Sequence, residues 1–310
     1  MTEHPERRHE QPRHPGPRFS VVVPTFQRPS QLVACVAALR RLERPGGALE
    51  IVIVNDGGQA PAAAVAEVGP DDEKLEVRVL TQPNAGPAAA RNAGARAARG
   101  ALLAFTDDDC IPDPHWLAAL DAALRRQPDA LAGGPVVNAI AGDVYADASQ
   151  HLAASTARWF AGGAEGRFFT SNNLAVSRDA FLDAGGFDAR FRFAGEDREF
   201  TDRWSAQGHP SLLVEDAVVR HAHRLDARSF VRLHFSYGRG AVGFRRVRAA
   251  AGRPVRISPA FYIASVEFAL RSGGGAVRAL VRAALTVVAH ASYVAGLLWE
   301  RFVHGAPRRD

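Results

Sequence analysis

Four short runs of almost unbroken apolar residues, each closing on polar ones, constrain the fold of this chain more than any other feature. They are FSVVVP from Phe19, LEIVIVND from Leu49, EVRVLTQ from Glu76 and ALLAF from Ala101. Each has strand length and is bounded by Pro, Asp, Gln or Asn, residues that end strands. Between the first two, SQLVACVAALRRL sets Leu32, Val36 and Leu39 on one helical face, with Ser30 placed to cap its start. GPAAARNAGARAARG forms another helix, short on large side chains and therefore able to approach a sheet closely. Strands alternating with helices predict a parallel α/β sheet with right-handed crossovers. Near-continuous apolar strands fit a sheet covered on both faces.

In such sheets ligands bind beyond the carboxyl ends of the strands. The polar residues at those ends are Pro24 and Thr25, Asn55 and Asp56, Gln82 and Asn84, and the run Asp107, Asp108 and Asp109. Adjacent carboxylates repel, and burying them unpaired is costly. A hard cation relieves that cost, and in extended backbone Asp107 and Asp109 lie on one side of the chain. Mg²⁺ and Mn²⁺ take oxygen ligands and share them with a substrate's phosphates. A solvated acidic loop capping the next helix is the bland alternative for three aspartates in isolation. Their position after a buried strand, beside three other polar strand ends, favours the cation.

The second half is less regular. RFFTSNNLAVS reads as a strand, GEDREFTDRWSAQG as a helix closed by Gly208, and HPSLLVEDAVVRHAH as one more strand ending at His221. From residues 224 to 256 nine arginines stand against one acid, Asp226, and the pattern turns helical. A boundary is therefore expected near residue 225, and the basic excess calls for an anionic partner. Two cysteines, Cys35 and Cys110, are too few for a disulfide framework and read as inert core residues. Residues 1–18 carry charges and prolines without an apolar stretch, and read as a disordered tail with no secretory signal. The expected location is therefore the cytoplasm.

Six segments in order resemble the family 2 glycosyltransferases, over about two hundred residues from Phe19 to His223. VVVPTFQRP resembles the opening strand and nucleotide loop, and IVIVNDGG the second strand with its base- or ribose-binding Asp. NAGPAAARNAG resembles the helix start near the nucleotide, and FTDDD the metal-binding D-x-D turn. SNNLAVSRDAFLDAGGFDARF resembles the acceptor-side segment, and GEDREF carries the Glu-Asp pair expected of the catalytic base. The resemblance implies the GT-A fold, a Rossmann-like, mostly parallel sheet flanked by helices, here with a C-terminal helical appendage. It divides the chain into the tail, a catalytic domain at 19–225 and an arginine-rich region at 226–310.

The resemblance also implies roles. Pro24, Thr25, Asp56, Asn84 and Arg91 would line the nucleotide-sugar site, the arginine favouring the diphosphate. Asp107 would face the ribose or the metal, Asp108 would lie beside the nucleotide sugar, and Asp109 would ligate Mg²⁺ or Mn²⁺. His221 is a candidate to complete the metal shell, with His223 set behind it. Asp197 would take the acceptor's proton, with Glu196 positioning it, although acids at a helix start also serve the helix dipole alone. Asn172 and Asn173 could bond sugar hydroxyls or merely satisfy a turn, and Trp204 could be an acceptor platform or core. Processive synthases of the family carry a Gln-x-x-Arg-Trp motif after the base. Here Arg203 and Trp204 lie within the Glu-Asp helix and lack that glutamine spacing, which implies a non-processive enzyme.

The arginine-rich segment interleaves Phe230, Phe235, Tyr237 and Phe244. No nucleic-acid module accompanies it, so no nucleic acid is expected, and an anionic membrane surface fits better. The charge-free run 283–299 has 17 residues against the roughly 20 that a spanning helix needs, so an interfacial or core helix is expected. The sequence therefore predicts an inverting, metal-dependent, non-processive transfer of sugar from a nucleotide-diphosphate donor to a glycan or lipid-linked acceptor. It would act with peripheral contact at the cytoplasmic face of the membrane. A nucleotide-sugar-binding protein without catalysis is the alternative.

Overall fold

The structure, a computed structural model, describes residues 16–58, 73–161, 168–191, 194–255 and 258–303. Residues 1–15 of the expected tail lie outside them. The first strands are β1 (Phe19–Thr25), β2 (Leu49–Asn55), β3 (Leu75–Thr81) and β4 (Leu102–Phe105). They run parallel in the order β3-β2-β1-β4, so Thr25, Asn55, Thr81 and Phe105 end along one edge. Strand order reverses direction at β1, the switch point where a crevice opens in such sheets.

Alternation along the strands builds two core layers. Val21, Val23, Ile51 and Ile53 pack beneath α1 (Pro29–Arg40) and α3 (Trp116–Arg126). Val22, Val52 and Val54 pack with the opposite layer, which includes α2 (Pro87–Ala97). The approach of α2 is close because Gly94 lacks a side chain: a Cβ there would lie 2.4 Å from Val22 Cγ1. The expected Ser30 cap is not used. Pro29 takes the first helical turn, where its missing N–H costs nothing, and Arg28 stands at the cap without a side-chain bond.

After β4 come β5 (Cys110–Pro112), α3, β6 (Leu131–Gly133), β7 (Val136–Asn138) and α4 (Val144–Ala161). They are followed by β8 (Leu174–Ser177), α5 (Arg178–Asp183) and α6 (Glu196–Ala206). β8 enters the main sheet antiparallel between β4 and β6. The single strand expected over HPSLLVEDAVVRHAH is two, β9 (Ser211–Leu213) and β10 (Val219–His221). β9 extends the seven-stranded sheet, whereas β10 joins β5 and β7 in a second, three-stranded sheet. The turn residues 214–217 between them carry the chain from one sheet to the other.

Two residues expected at the site belong to the core instead. Trp204 has no exposed surface, donates its indole N–H to the Pro210 carbonyl at 3.0 Å and packs on Phe200, so it offers no platform to an acceptor. Asn173 is also fully buried, and its amide is saturated. It accepts from Trp116 Nε1 at 2.8 Å and donates to the carbonyls of Pro135 at 3.0 Å and Ala217 at 2.8 Å. It ties β8 and α3 to the segments entering β7 and β10. Both cysteines are buried and free.

The C-terminal region is α7 (Ala227–Ala250), α8 (Pro259–Arg271) and α9 (Ala276–Val303). Asp226 and Ser229 form a capping box at the start of α7. α7 and α9 touch backbone to backbone, because a Cβ on Gly238 or Gly296 would fall within about 2 Å of a carbonyl oxygen of the other helix. Several arginines of the basic segment are paired internally: Arg239 with Glu300 at 2.7 Å, and Arg248 and Arg253 with Asp202 at 3.0 Å each. Arg282, at the border of the charge-free run, is buried on Asp147 at 3.0 Å and on carbonyls ending α8. The helix holding that run has 28 residues, and by length and composition alone α9 could cross a membrane. One face of it, including Ala283, Thr286 and Ala289, is buried in the protein.

Asn173→Ala leaves the Trp116 indole N–H and the Ala217 carbonyl without this partner in the core, while the Pro135 carbonyl keeps the Val219 N–H, and such losses cost about 1–3 kcal/mol for each stranded group. Urea unfolding should show a loss of at least about 2 kcal/mol; an unchanged midpoint would contradict the structural role given to this amide.

Candidate active site

The edge formed by the ends of β1, β2 and β4 opens into a cavity of about 680 Å³. Pro24, Thr25, Asp56 and Asn84 line one end of it, with Arg91 and the three aspartates after β4. Asp56 accepts hydrogen bonds from Gln82 Nε2 at 2.7 Å and from the backbone N–H groups of Ala85 at 2.9 Å and Gly86 at 2.8 Å. A carboxylate at the end of β2 thereby shapes the loop that leads into α2.

The aspartates face three ways. Asp107 accepts from Arg91 at 2.5 Å. Asp108 accepts from Thr25 Oγ1 at 2.8 Å and lies 3.3 Å from Arg28. Burial, only partly offset by Arg28 and Thr25, raises its pKa to about 6. Asp109 lies 3.1 Å from Arg28 and 3.2 Å from His221 Nε2. Burial alone would raise the Asp109 pKa, but the His221 bond and charge, with Arg28, hold it down at about 2.

Asp109, His221 and His223 form a cluster whose donor atoms all lie within 4.8 Å of one another. Burial tends to strip the proton from His221, and Asp109 overcomes that effect and raises its pKa. Burial and the neighbouring His221 lower the pKa of His223, keeping it neutral and able to donate a lone pair. One ionised carboxylate beside two imidazoles fits a divalent cation, and this mixed set is softer than the all-oxygen surroundings that Mg²⁺ demands. Asp107 stands outside the cluster on Arg91, and His223, set behind His221 in the sequence reading, stands inside it. Alternate residues of an extended segment share a side, and that spacing was the available signal.

Across the cavity, Gly195 adopts the left-handed region at φ 102° and starts α6. Arg91, which is almost fully buried, donates to Glu196 at 2.9 Å as well as to Asp107. Asp197 is half-buried at the cavity wall and accepts from the backbone N–H groups of Arg198 at 2.7 Å and Ser171 at 3.4 Å. Burial and the adjacent Glu196 charge raise its pKa to about 7. Asn172 lines the cavity and accepts from Thr170 Oγ1 at 2.6 Å. Arg28 also lines it and was missed in the sequence reading, although VVVPTFQRP places it just beyond a strand end.

Comparison with known proteins matches residues 20–185 to the family described as glycosyl transferase family 2. The chain is 28% identical over 276 residues to the pre-mycofactocin glycosyltransferase of Mycobacterium tuberculosis, an alignment that covers 86% of this chain and 56% of that protein. It therefore spans little more than half of that relative's length. Glycosyltransferase AglE of Haloferax volcanii is 24% identical over 227 residues, 73% of each chain. Among solved structures, the mannosyltransferase PcManGT from Pyrobaculum calidifontis, in complex with GDP-Man and Mn²⁺, has a TM-score of 0.64 at 17% identity. That match covers 93% of this chain and 88% of the other. S. aureus TarS 1–349 in complex with UDP has a TM-score of 0.51 at 16% identity over 94% and 93% of the two chains. These two structures share the fold, with its mostly parallel sheet of GT-A type. The family match extends over more than half of the chain, and the protein belongs to glycosyl transferase family 2.

Proposed function

We propose that the protein transfers a sugar, with inversion, from a nucleotide-diphosphate donor to an acceptor hydroxyl, one sugar at a time. The observation that carries this reading is the pairing, in one cavity, of a carboxyl with a raised pKa, Asp197, and a cation-binding cluster, Asp109, His221 and His223. The donor's nucleotide lies against Pro24, Thr25, Asp56 and Asn84, and Arg28 offers a cation at the mouth for its diphosphate. Asp109, His221 and His223 would hold Mn²⁺ in preference to Mg²⁺, and the cation, when bound, neutralises negative charge on the leaving nucleoside diphosphate.

Asp197 takes the proton of the acceptor hydroxyl as that oxygen attacks the anomeric carbon. The bond from that carbon to the diphosphate oxygen breaks, and its electron pair leaves with the nucleoside diphosphate. One displacement from the opposite face inverts the configuration. A base with a pKa near the working pH is best matched to this task. Glu196, fixed by Arg91, keeps that pKa raised and holds its neighbour in place.

The outer surfaces of α8 and α9 expose Ile263, Val277, Leu280, Trp299 and Phe302, beside the exposed arginines Arg271, Arg278 and Arg301. That combination supports peripheral attachment to an anionic bilayer at its cytoplasmic face, near a glycan or lipid-linked acceptor.

Asp197→Asn should lower kcat by about 10²–10⁴-fold while donor binding by calorimetry persists; near-normal turnover would reject Asp197 as the base. Only ionised Asp197 accepts a proton, so kcat/KM should rise with pH along an acid limb centred near 7, where the folded protein holds this carboxyl. A flat profile from pH 5 to 8 would count against it. His223→Ala should weaken Mn²⁺ binding by at least about tenfold in an EPR titration, whereas an unchanged affinity would remove His223 from the cluster.

A further inference from the structure

The cavity does not end at Asp197. Beyond it the walls come from four helices outside the main sheet: Leu152 and Phe160 of α4, Ala241 and Phe244 of α7, Phe261 of α8 and Tyr293 of α9. These positions bring together chain segments more than a hundred residues apart. The result is an aromatic chamber opening onto the candidate base. We infer that this chamber holds the apolar body of the acceptor, so that the acceptor is an amphiphile, a hydroxyl-bearing head on an aryl or alkyl body, rather than a free oligosaccharide. The inference deepens the glycosyl-transfer reading and rests on it for the identity of the reacting hydroxyl.

Three observations point to a ligand. First, the base and the chamber wall are one piece of chain: Arg198, next to Asp197, stacks its guanidinium 4.1 Å from the Phe160 ring centroid and 4.7 Å from that of Phe244. Arginine over aromatic faces forms a flat, rigid wall that keeps its neighbour in register. Second, Tyr237 joins the two compartments. Its ring packs edge-on to His234 at 5.6 Å and lines the cavity. Third, His234 lines the chamber at only 3% exposure, and its sealed Nε2 has no hydrogen-bond partner among the described residues. Its neighbour His290 satisfies Nε2 on Ser265 Oγ at 2.6 Å. Burial lowers the His234 pKa to about 4, so the imidazole is neutral and can give or receive one hydrogen bond.

A sugar chain wants hydrogen bonds at every residue, and several polar side chains of these walls are already engaged with the protein: Asn138 on Ile140, Gln150 on the Val136 carbonyl, Thr156 on the Leu152 carbonyl and His290 on Ser265. A compact apolar body matches them. An aryl ring and an alkyl chain share that chemistry, and probes of each kind distinguish them.

The test is the affinity of the full chain for methyl, hexyl and phenyl β-D-glucopyranoside, by calorimetry below micellar concentrations and without donor. Each buried methylene contributes about fourfold, so with about three of its five additional carbons buried, hexyl glucoside, or phenyl glucoside of similar buried area, should bind on the order of 60-fold more tightly than the methyl glucoside. The tighter of the two tells an alkyl acceptor from an aryl one. Ala241→Trp, which fills the chamber, should cut that preference to about threefold or less; if it does not fold, Leu152→Trp fills the chamber from the opposite wall. Equal binding of all three probes would overturn the inference. So would a preference that survives the filled chamber, since that places the probes on the exposed surface of α9. Because donor is absent, failure here is separate from failure of the transfer reading, which Asp197→Asn examines.

Discussion

A buried arginine holds the two halves of the site together. Arg91 rises from α2 and divides its guanidinium between Asp107, which follows β4, and Glu196, which opens α6. Those acids lie about ninety residues apart in sequence. The arginine fixes the distance between the aspartate run and the helix that carries Asp197. Both carboxylates raise the Arg91 pKa against the effect of its burial, so the charge persists at any working pH. Removing one partner of such a pair leaves an uncompensated buried charge, which is why the arrangement tolerates little change.

With Arg91 committed to the frame, the remaining negative charge has to be met otherwise. Asp108 leans on Thr25 and Arg28, and Asp109 on Arg28 and His221. Arg28 is half-exposed and long, and it serves two carboxylates at once. That is the economy expected of a mouth built to admit a cation and a diphosphate together, because a divalent ion brings the charge and the anion then balances the arginine. On the far wall burial with Glu196 raises the Asp197 pKa, and Arg91 offsets that only in part. One carboxylate is prepared to stay charged and another to accept a proton, and their surroundings alone separate them.

Much of this was legible in the sequence because it is local. The parallel strands β1 to β4 showed as apolar runs, and the site edge as the polar residues after them. Asp56, Asp109 and Asp197 showed as motif positions. Non-local features did not show. Nothing in SNNLAVS distinguishes Asn172, at the cavity, from Asn173, locked on Trp116 and two carbonyls. Trp204 read as core or platform until packing placed it under Phe200. The second half of HPSLLVEDAVVRHAH changes sheets at a turn that an apolar pattern alone does not mark. The chamber was invisible, because its walls come from α4, α7, α8 and α9, and no single one of those helices carries its pattern.

The role proposed for the aspartate and histidine cluster is to bind a nucleotide sugar through a divalent cation. The most direct measurement is thermal unfolding with UDP, GDP, dTDP and CDP sugars, each with and without Mn²⁺, in the native protein and in Asp109→Ala. A ligand that binds only the folded state raises its apparent stability. The account predicts a rise in Tm with one nucleotide class, dependent on Mn²⁺ and absent in Asp109→Ala. An equal rise in that variant, or one indifferent to the metal, would contradict it.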